Sequence, residues 1–334
     1  MAFEDRRNRA TYPFIPNSPI VFLLNAGGKI LQGRIIVTGT IVVSGVTTAG
    51  TAVGEGGPLN LINWITVTAT RADGSRYPGG KIVDCSPRTL QRYATYQHNG
   101  KYICEINGST LGNGADGTYE IYMSIPIYWA DATMRNQVDT ALNADIVDST
   151  GAPIYASIQV EVDTGSLASC FVGNNGAVNY SGLVVQWADD RLKLTTDTVP
   201  LFQDSHEMLI AATQTRALDA AMPQDGAFTS WLILAEQGAS STLADTLLNR
   251  VTLQSQTLNF DEYALDIRQK MLDDEWLDPA QSGVGQFFID FTNGLLQNSN
   301  TATGLSAQFD LNNVSGANAD MLEFYTRRVY SLAS

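Results

Sequence analysis

GTYEIYMSIPIYW, residues 117–129, alternates apolar and polar side chains with a period of two. Tyr119, Ile121, Met123, Ile125 and Ile127 fall on one face; Thr118, Glu120, Tyr122 and Ser124 fall on the other. That pattern predicts a half-buried antiparallel strand. A second glycine-led run, GQFFIDFTNGLL (285–296), has the same character.

The two runs have matching neighbours. Before the first come INWITVTAT (62–70) and SPRTLQRYATYQ (86–97), and STGAPIYASIQVEV (149–162) follows it. Before the second come LNRVTLQSQT (248–257) and DEYALDIRQKMLDDEW (261–276), and VSGANADMLEFYTRRV (314–329) follows it. Each series reads as strand, helix, glycine-led strand, turn and last strand. The anchors pair as Gly45 with Gly238, Thr66 with Thr252, Ser86 with Asp261, Gly117 with Gly285 and Gly151 with Gly316. Their separation shrinks steadily along the chain, as expected if the second copy has shorter connections. A repeat of this length is a duplicated domain, since solenoid periods are ~20–50 residues.

Local signals support the series. SPIVFLLNAGGKILQGRIIVTGTIVVSG (18–45) reads as two strands about the Gly27–Gly28 turn. Ser86 followed by Pro87 starts the first helix, and Leu90, Tyr93 and Ala94 share one face of it. Asn259 and Glu262 suggest a capping box for the second helix, whose apolar stripe is Phe260, Ala264, Ile267 and Met271. Helices are too few for parallel βαβ units. The expected fold is therefore all-β: two tandem jelly-roll β-sandwiches, each with a short inserted helix. Expected boundaries are an irregular N-terminal arm at 1–17 and a first jelly roll at 18–165. Residues 166–204 read as a linker and the opening strand of the second unit, and 205–334 as the second jelly roll.

The 334 residues are enough for two cores. Charged residues make up only 16%, against ~25% in typical soluble domains. Low charge suits a surface covered by neighbours, because interface cores are depleted in charge. The net charge of −14 disfavours direct nucleic-acid binding, which needs Lys and Arg for the phosphates. Arg6, Arg7 and Arg9 are the local exception, read either as a solvated, frayed terminus or as an arm reaching an anionic surface such as lipid or packaged nucleic acid. Charges rather than an apolar run fill the first residues, so no signal peptide is expected. No stretch is long and apolar enough for a membrane span. Cys85, Cys104 and Cys170 form no paired framework and read as buried thiols.

Catalytic, cofactor and metal motifs are not expected. His206–Glu207 begins HExxH, but position 210 is isoleucine. Gly112, Gly114 and Gly117 match GxGxxG, yet they precede a strand, whereas a pyrophosphate cradle needs a helix there. A glycosidase would need two carboxylates across a cleft; the available groups are Asp189–Asp190 and Asp273–Asp274–Glu275–Asp278. Trp64, Trp129 and Trp231 lie within strands and read as core, not as an aromatic sugar platform.

The segments GKILQGRIIVTGTIVV (28–43), GTYEIYMSIPIYW and GQFFIDFTNGLL, with a polar turn and final strand, resemble a known family. It is the double jelly-roll major capsid proteins of tailless icosahedral bacteriophages with an internal membrane, the adenovirus-like capsid lineage. The resemblance covers most of 18–334. It implies a structural, non-enzymatic protein without cofactors. Its partners would be two further copies in a pseudo-hexameric homotrimer, neighbouring capsomers, and penton or vertex and minor capsid proteins. An internal lipid membrane would meet the arm with Arg6, Arg7 and Arg9. The place of the protein would be the virion, after synthesis in the host cytoplasm. The rival readings are a carbohydrate-binding or adhesin-like β-sandwich and a jelly-roll glycoside hydrolase.

Overall fold

The computed structural model describes residues 3–25, 27–48, 51–52, 57–71, 81–97, 116–129, 140–144, 155–192, 201–223, 226–238, 242–255, 259–273, 284–291, 305–316 and 320–329. The chain divides into two compact units, one of residues 1–94 and 102–201, the other of residues 95–101 and 202–334.

The main strands of the first unit are β1 (Phe3–Pro13), β2 (Pro19–Leu24), β3 (Lys29–Ser44), β4 (Ile62–Arg71), β5 (Val83–Cys85), β6 (Gly117–Tyr128), β7 (Tyr155–Thr164) and β8 (Ala177–Leu192). Helix α1 (Pro87–Gln97) lies between β5 and β6. One sheet has the order β1-β8-β3-β6 and the other contains β6's sequence neighbours in the order β2-β7-β4-β5, all pairs antiparallel. The second unit has β9 (Leu201–Ile210), β10 (Gln214–Leu218), β11 (Ala227–Gln237), β12 (Leu248–Gln254), β13 (Asn259–Tyr263), β14 (Gln286–Asp290), β15 (Ser306–Leu311) and β16 (Asp320–Val329). Helix α2 (Ala264–Asp273) again precedes the sixth strand. Its sheets run β9-β16-β11-β14 and β10-β15-β12-β13. Adding eight to each strand label of the first unit gives the second. Two four-stranded antiparallel sheets in this interleaved order are the jelly roll, and the chain contains it twice.

The alternation of β6 holds in its first half, where Tyr119, Ile121 and Met123 are buried and Glu120 and Tyr122 exposed. From Met123 to Tyr128 every residue is buried, Ser124 included, so the strand is covered on both faces there instead of half-buried throughout. Helix α1 begins as expected. Ser86 Oγ accepts the Thr89 amide at 3.2 Å, and Leu90, Tyr93 and Ala94 are buried. The anchors Gly45 and Gly238 end the equivalent strands β3 and β11 with φ of 72° and 71°, a conformation that glycine adopts without strain. In the second unit one apolar cluster gathers Trp231, Ile233, Val251, Leu253, Ile267, Phe309 and Phe324 from both sheets and α2.

Three expectations differ from the structure. Residues 3–13 are not an irregular arm but β1, with Phe3 opposite Leu192 and Pro13 opposite Val184. The strand supplies the partner that the edge of β8 requires. Residues 166–204 are mostly not a linker, because Ala177–Leu192 is β8, held between β1 and β3. The counterpart of β16 is therefore β8, and the first unit closes there instead of at 165. Gly316, which precedes β16, corresponds to Gly173, which precedes β8; Gly151 lies outside the described residues. The second unit opens with β9 at Leu201. Asn259 caps no helix: Asn259–Tyr263 forms a ladder with β12, and the helix starts at Ala264. The stripe reading survives, with Phe260, Ala264, Ile267 and Met271 all buried.

The strand β8 was hard to read because a bulge interrupts it. Its register against β3 shifts between Asn179 and Gly182. At the bulge Gly39 has φ of 133°, and a Cβ there would lie 2.0 Å from the Gly182 carbonyl oxygen. Two glycines let the backbones approach, and the apolar alternation resumes only from Leu183.

Candidate functional site

Among the described residues, several side chains with chemical potential hold strands and turns. Asp189 and Arg191 on β8 are two residues apart and share a face. Both are buried, and they pair bidentately: Arg191 Nε to Asp189 Oδ1 and Nη2 to Oδ2, each at 2.9 Å. The Trp187 indole donates to Asp189 Oδ2 at 3.0 Å. Arg191 Nη1 also donates to the carbonyls of Asn25 and Gly27, both at 2.7 Å, and so pins the β2–β3 turn. Asp190 lies on the opposite face by alternation, so Asp189–Asp190 is not a carboxylate pair across a cleft. The depression on that outer face, beside Arg34, Tyr122 and Asp190, holds about 90 Å³, well below the ~300–1,000 Å³ of small-ligand pockets. Of the other acidic group, Asp273 ends α2 and accepts the Gln269 side-chain amide at 2.9 Å; Asp274, Glu275 and Asp278 lie outside the described residues. Among the described residues, no cluster of His, Cys, Asp and Glu has the grouping of a metal site.

His206, on β9, stacks on Phe324 at 4.9 Å and meets Asp219 Oδ2 through Nε2 at 2.6 Å. It is a packed polar residue, and the His98 of the sequence reading is outside the described residues. Cys170 is buried with its Sγ toward the Ser166 carbonyl; burial pushes its thiol up to about 12. Cys85 is buried as well, and Cys104 is outside the described residues. Trp129 and Trp231 are core residues, and Trp187 joins them. Trp64 is half-buried, its indole donating to Asp84 Oδ1 at 2.6 Å. Arg6, Arg7 and Arg9 all lie on β1, where Arg7 stands opposite Asp189 in the ladder.

Two anchors escaped the sequence reading. Thr164, at the end of β7, is buried, with Oγ1 2.5 Å and 2.8 Å from the carbonyls of Ile15 and Ser18. The Ser18 amide donates back to it at 3.1 Å. This clamps the β1–β2 corner. In the second unit the carboxylate of Asp320 accepts the amides of Gly238, Val314 and Ser315 at 3.0, 2.7 and 2.9 Å. Burial alone would raise the Asp320 carboxyl, but these amides and the Ser315 side chain outweigh it and hold it below the usual value. Nothing in the local sequence marks either residue, since each contact is made across a large sequence distance or within an unpatterned turn. The Asp189–Arg191 pair was missed as well, although the spacing in DDR would fix a shared face once 177–192 is read as a strand.

No protein-family model matches the chain, and no curated protein matches it by sequence. Solved structures do match. The STIV MCP covers 99% of this chain and is itself covered in full, at 14% identity and a TM-score of 0.71. The capsid of the virus PBCV-1 gives 0.57 at 9% identity, covering 99% of this chain and 95% of that one. The major capsid protein P2 of bacteriophage PM2 gives 0.54 at 10% identity, covering 98% of this chain and all of that one. These neighbours are double jelly-roll proteins, and this chain has their fold.

Proposed function

We propose that the chain is a major capsid protein: a structural subunit that forms pseudo-hexameric homotrimers tiling an icosahedral shell around a membrane-enclosed genome. The observation that carries this reading is the strict duplication of the jelly roll, matched along almost the whole chain by a viral capsid protein. Three such chains bring six similar units into a ring. Fusing units in pairs replaces part of the association entropy with a covalent connection. The low charge content fits a surface largely covered by neighbours.

The same reading makes the protein a non-enzyme located in the virion and synthesised in the host cytoplasm. Its partners are its own copies, neighbouring capsomers, vertex and minor capsid proteins, and the internal membrane. Arg6, Arg7 and Arg9 are the proposed contact with that membrane or with a neighbouring capsomer, presented from an edge strand instead of a free arm. Nothing specific favours the carbohydrate-binding or hydrolase readings over this one.

Size-exclusion chromatography with light scattering on the purified chain tests it. The expected mass is three times the 36.1 kDa of the chain, with hexagonal outlines in negative-stain images. A strict monomer at all concentrations sinks the capsid reading.

A further inference from the structure

A sheet ends in a strand whose outward N–H and C=O groups invite pairing, and native proteins blunt such edges with charge, proline or bulges. β1 is blunted: its sequence holds Glu4, Asp5, Arg6, Arg7 and Arg9, and its ladder slips twice. In the second unit β10 is blunted too. Its register slips between Gln214 and Ala217, Arg216 takes φ of 57°, and the Arg216 amide turns to the Asp310 carboxylate at 2.8 Å. β2, the counterpart of β10, is different. Its six residues, Pro19–Leu24, carry no charge and hold an unbroken register against β7. Val21 and Leu23 are 41% and 66% exposed. Among the described residues β7 is the only strand hydrogen-bonded to it.

The direction of the free groups follows from the corner. The Ser18 carbonyl accepts the Thr164 amide of β7. By alternation, Ile20, Phe22 and Leu24 direct their backbone groups to β7, and Val21 and Leu23 direct theirs outward. Pro19 has no N–H and shields only the first position.

We propose that Pro19–Leu24 is a docking strand for the same strand of a second copy of this chain, joined antiparallel about a twofold axis with Val21 opposite Leu23 of the second copy. This deepens the capsid reading by naming one contact between capsomers, and it rests on that reading only for where the contact occurs. A twofold contact must be self-complementary, and this one is. Directly opposite residues share a face, so the two exposed apolar side chains of each copy meet each other. The register also lets both outward amides and both outward carbonyls pair without calling on Pro19. No like charges oppose each other within the strand. The nearest carboxylate on that face is Glu161, opposite Val21 on β7. It and its twofold image are at least three strand spacings apart, roughly 14 Å at ~4.8 Å each, beyond the ~8–10 Å screening length of physiological salt. The acidity of the whole chain therefore does not prevent the pairing. Thr164 and Arg191 hold the two ends of β2 fixed, so the strand is presented already ordered.

The test is a cysteine pair. A Val21→Cys/Leu23→Cys chain, concentrated and mildly oxidised, is expected to give a reducible two-chain band at least tenfold stronger than a Leu218→Cys control. Val21→Cys alone is expected to give far less than the double variant, because Val21 does not face itself. Hydrogen exchange on the unmodified chain provides a second reading that needs no variant. On concentration, the Val21 and Leu23 amides slow at least tenfold, and Leu23→Lys removes the effect. A double variant no stronger than its control, a single variant as strong as the double, or amides that stay fast would each overturn the proposal. Such a failure leaves the capsid reading standing if the chain is still a trimer. A chain that cross-links through β2 but is otherwise monomeric keeps the edge pairing and defeats the capsid reading.

Discussion

Asp189 illustrates how much a single buried charge commits the first unit. Its carboxylate neutralises Arg191, which in turn holds two carbonyls of the β2–β3 turn. Asp189→Asn keeps the shape and removes the charge, leaving a buried guanidinium without a counter-ion. The expected loss is about 3–5 kcal/mol, read as a lower urea midpoint for the first unit. Replacing Asp189 and Arg191 together by apolar residues is expected to restore part of it. Asp320 commits the second unit in another way. Its folded carboxyl is held below the ordinary value of 3.8. A group depressed in this way contributes stability above its unfolded value, and that stability is lost as pH falls through the unfolded value toward the folded one. Thermal melts below about pH 4 should therefore drop steeply for the native protein and less steeply for Asp320→Asn, which starts from a lower melting temperature at neutral pH.

At the level of elements, legibility followed regularity. The first half of β6 and the stripe of α2 were readable because there one face meets a core and the other stays open, which enforces the period. β8 was misassigned for the opposite reason: its bulge at Gly182 breaks the alternation, and its charged end looks like surface although Asp189 and Arg191 are buried and paired. β1 was unreadable because it is an edge strand rich in charge, the composition of a frayed end. β13 was mistaken for a helix start because Asn259 and Glu262 fit a cap, while the decisive fact, a five-residue ladder with β12, is non-local. The site residues follow the same division, since the Arg6–Arg9 cluster was visible but its placement on a sheet edge was not. This placement changes what truncation does. Removing residues 1–12 takes away β1 and bares the edge of β8, so it is expected to destabilise the first unit and promote aggregation. Changing Arg6, Arg7 and Arg9 to Ala should leave the melting temperature nearly unchanged, and comparing the two by calorimetry and vesicle flotation separates folding from lipid contact.

Across the whole molecule, two units with one topology share a chain but not a surface. Matching strands do matching structural work, yet their equivalent edges differ. β2 is regular and apolar, while β10 is kinked at Arg216 and closed by Asp310. A ring of six identical jelly rolls would repeat any adhesive edge at every sixty-degree step. A ring of three fused pairs carries it at every second step only. In the proposed trimer, the duplication would halve the bonding valence of a hexagonal tile, leave its outline unchanged, and let selection adjust the adhesive and the inert sides separately.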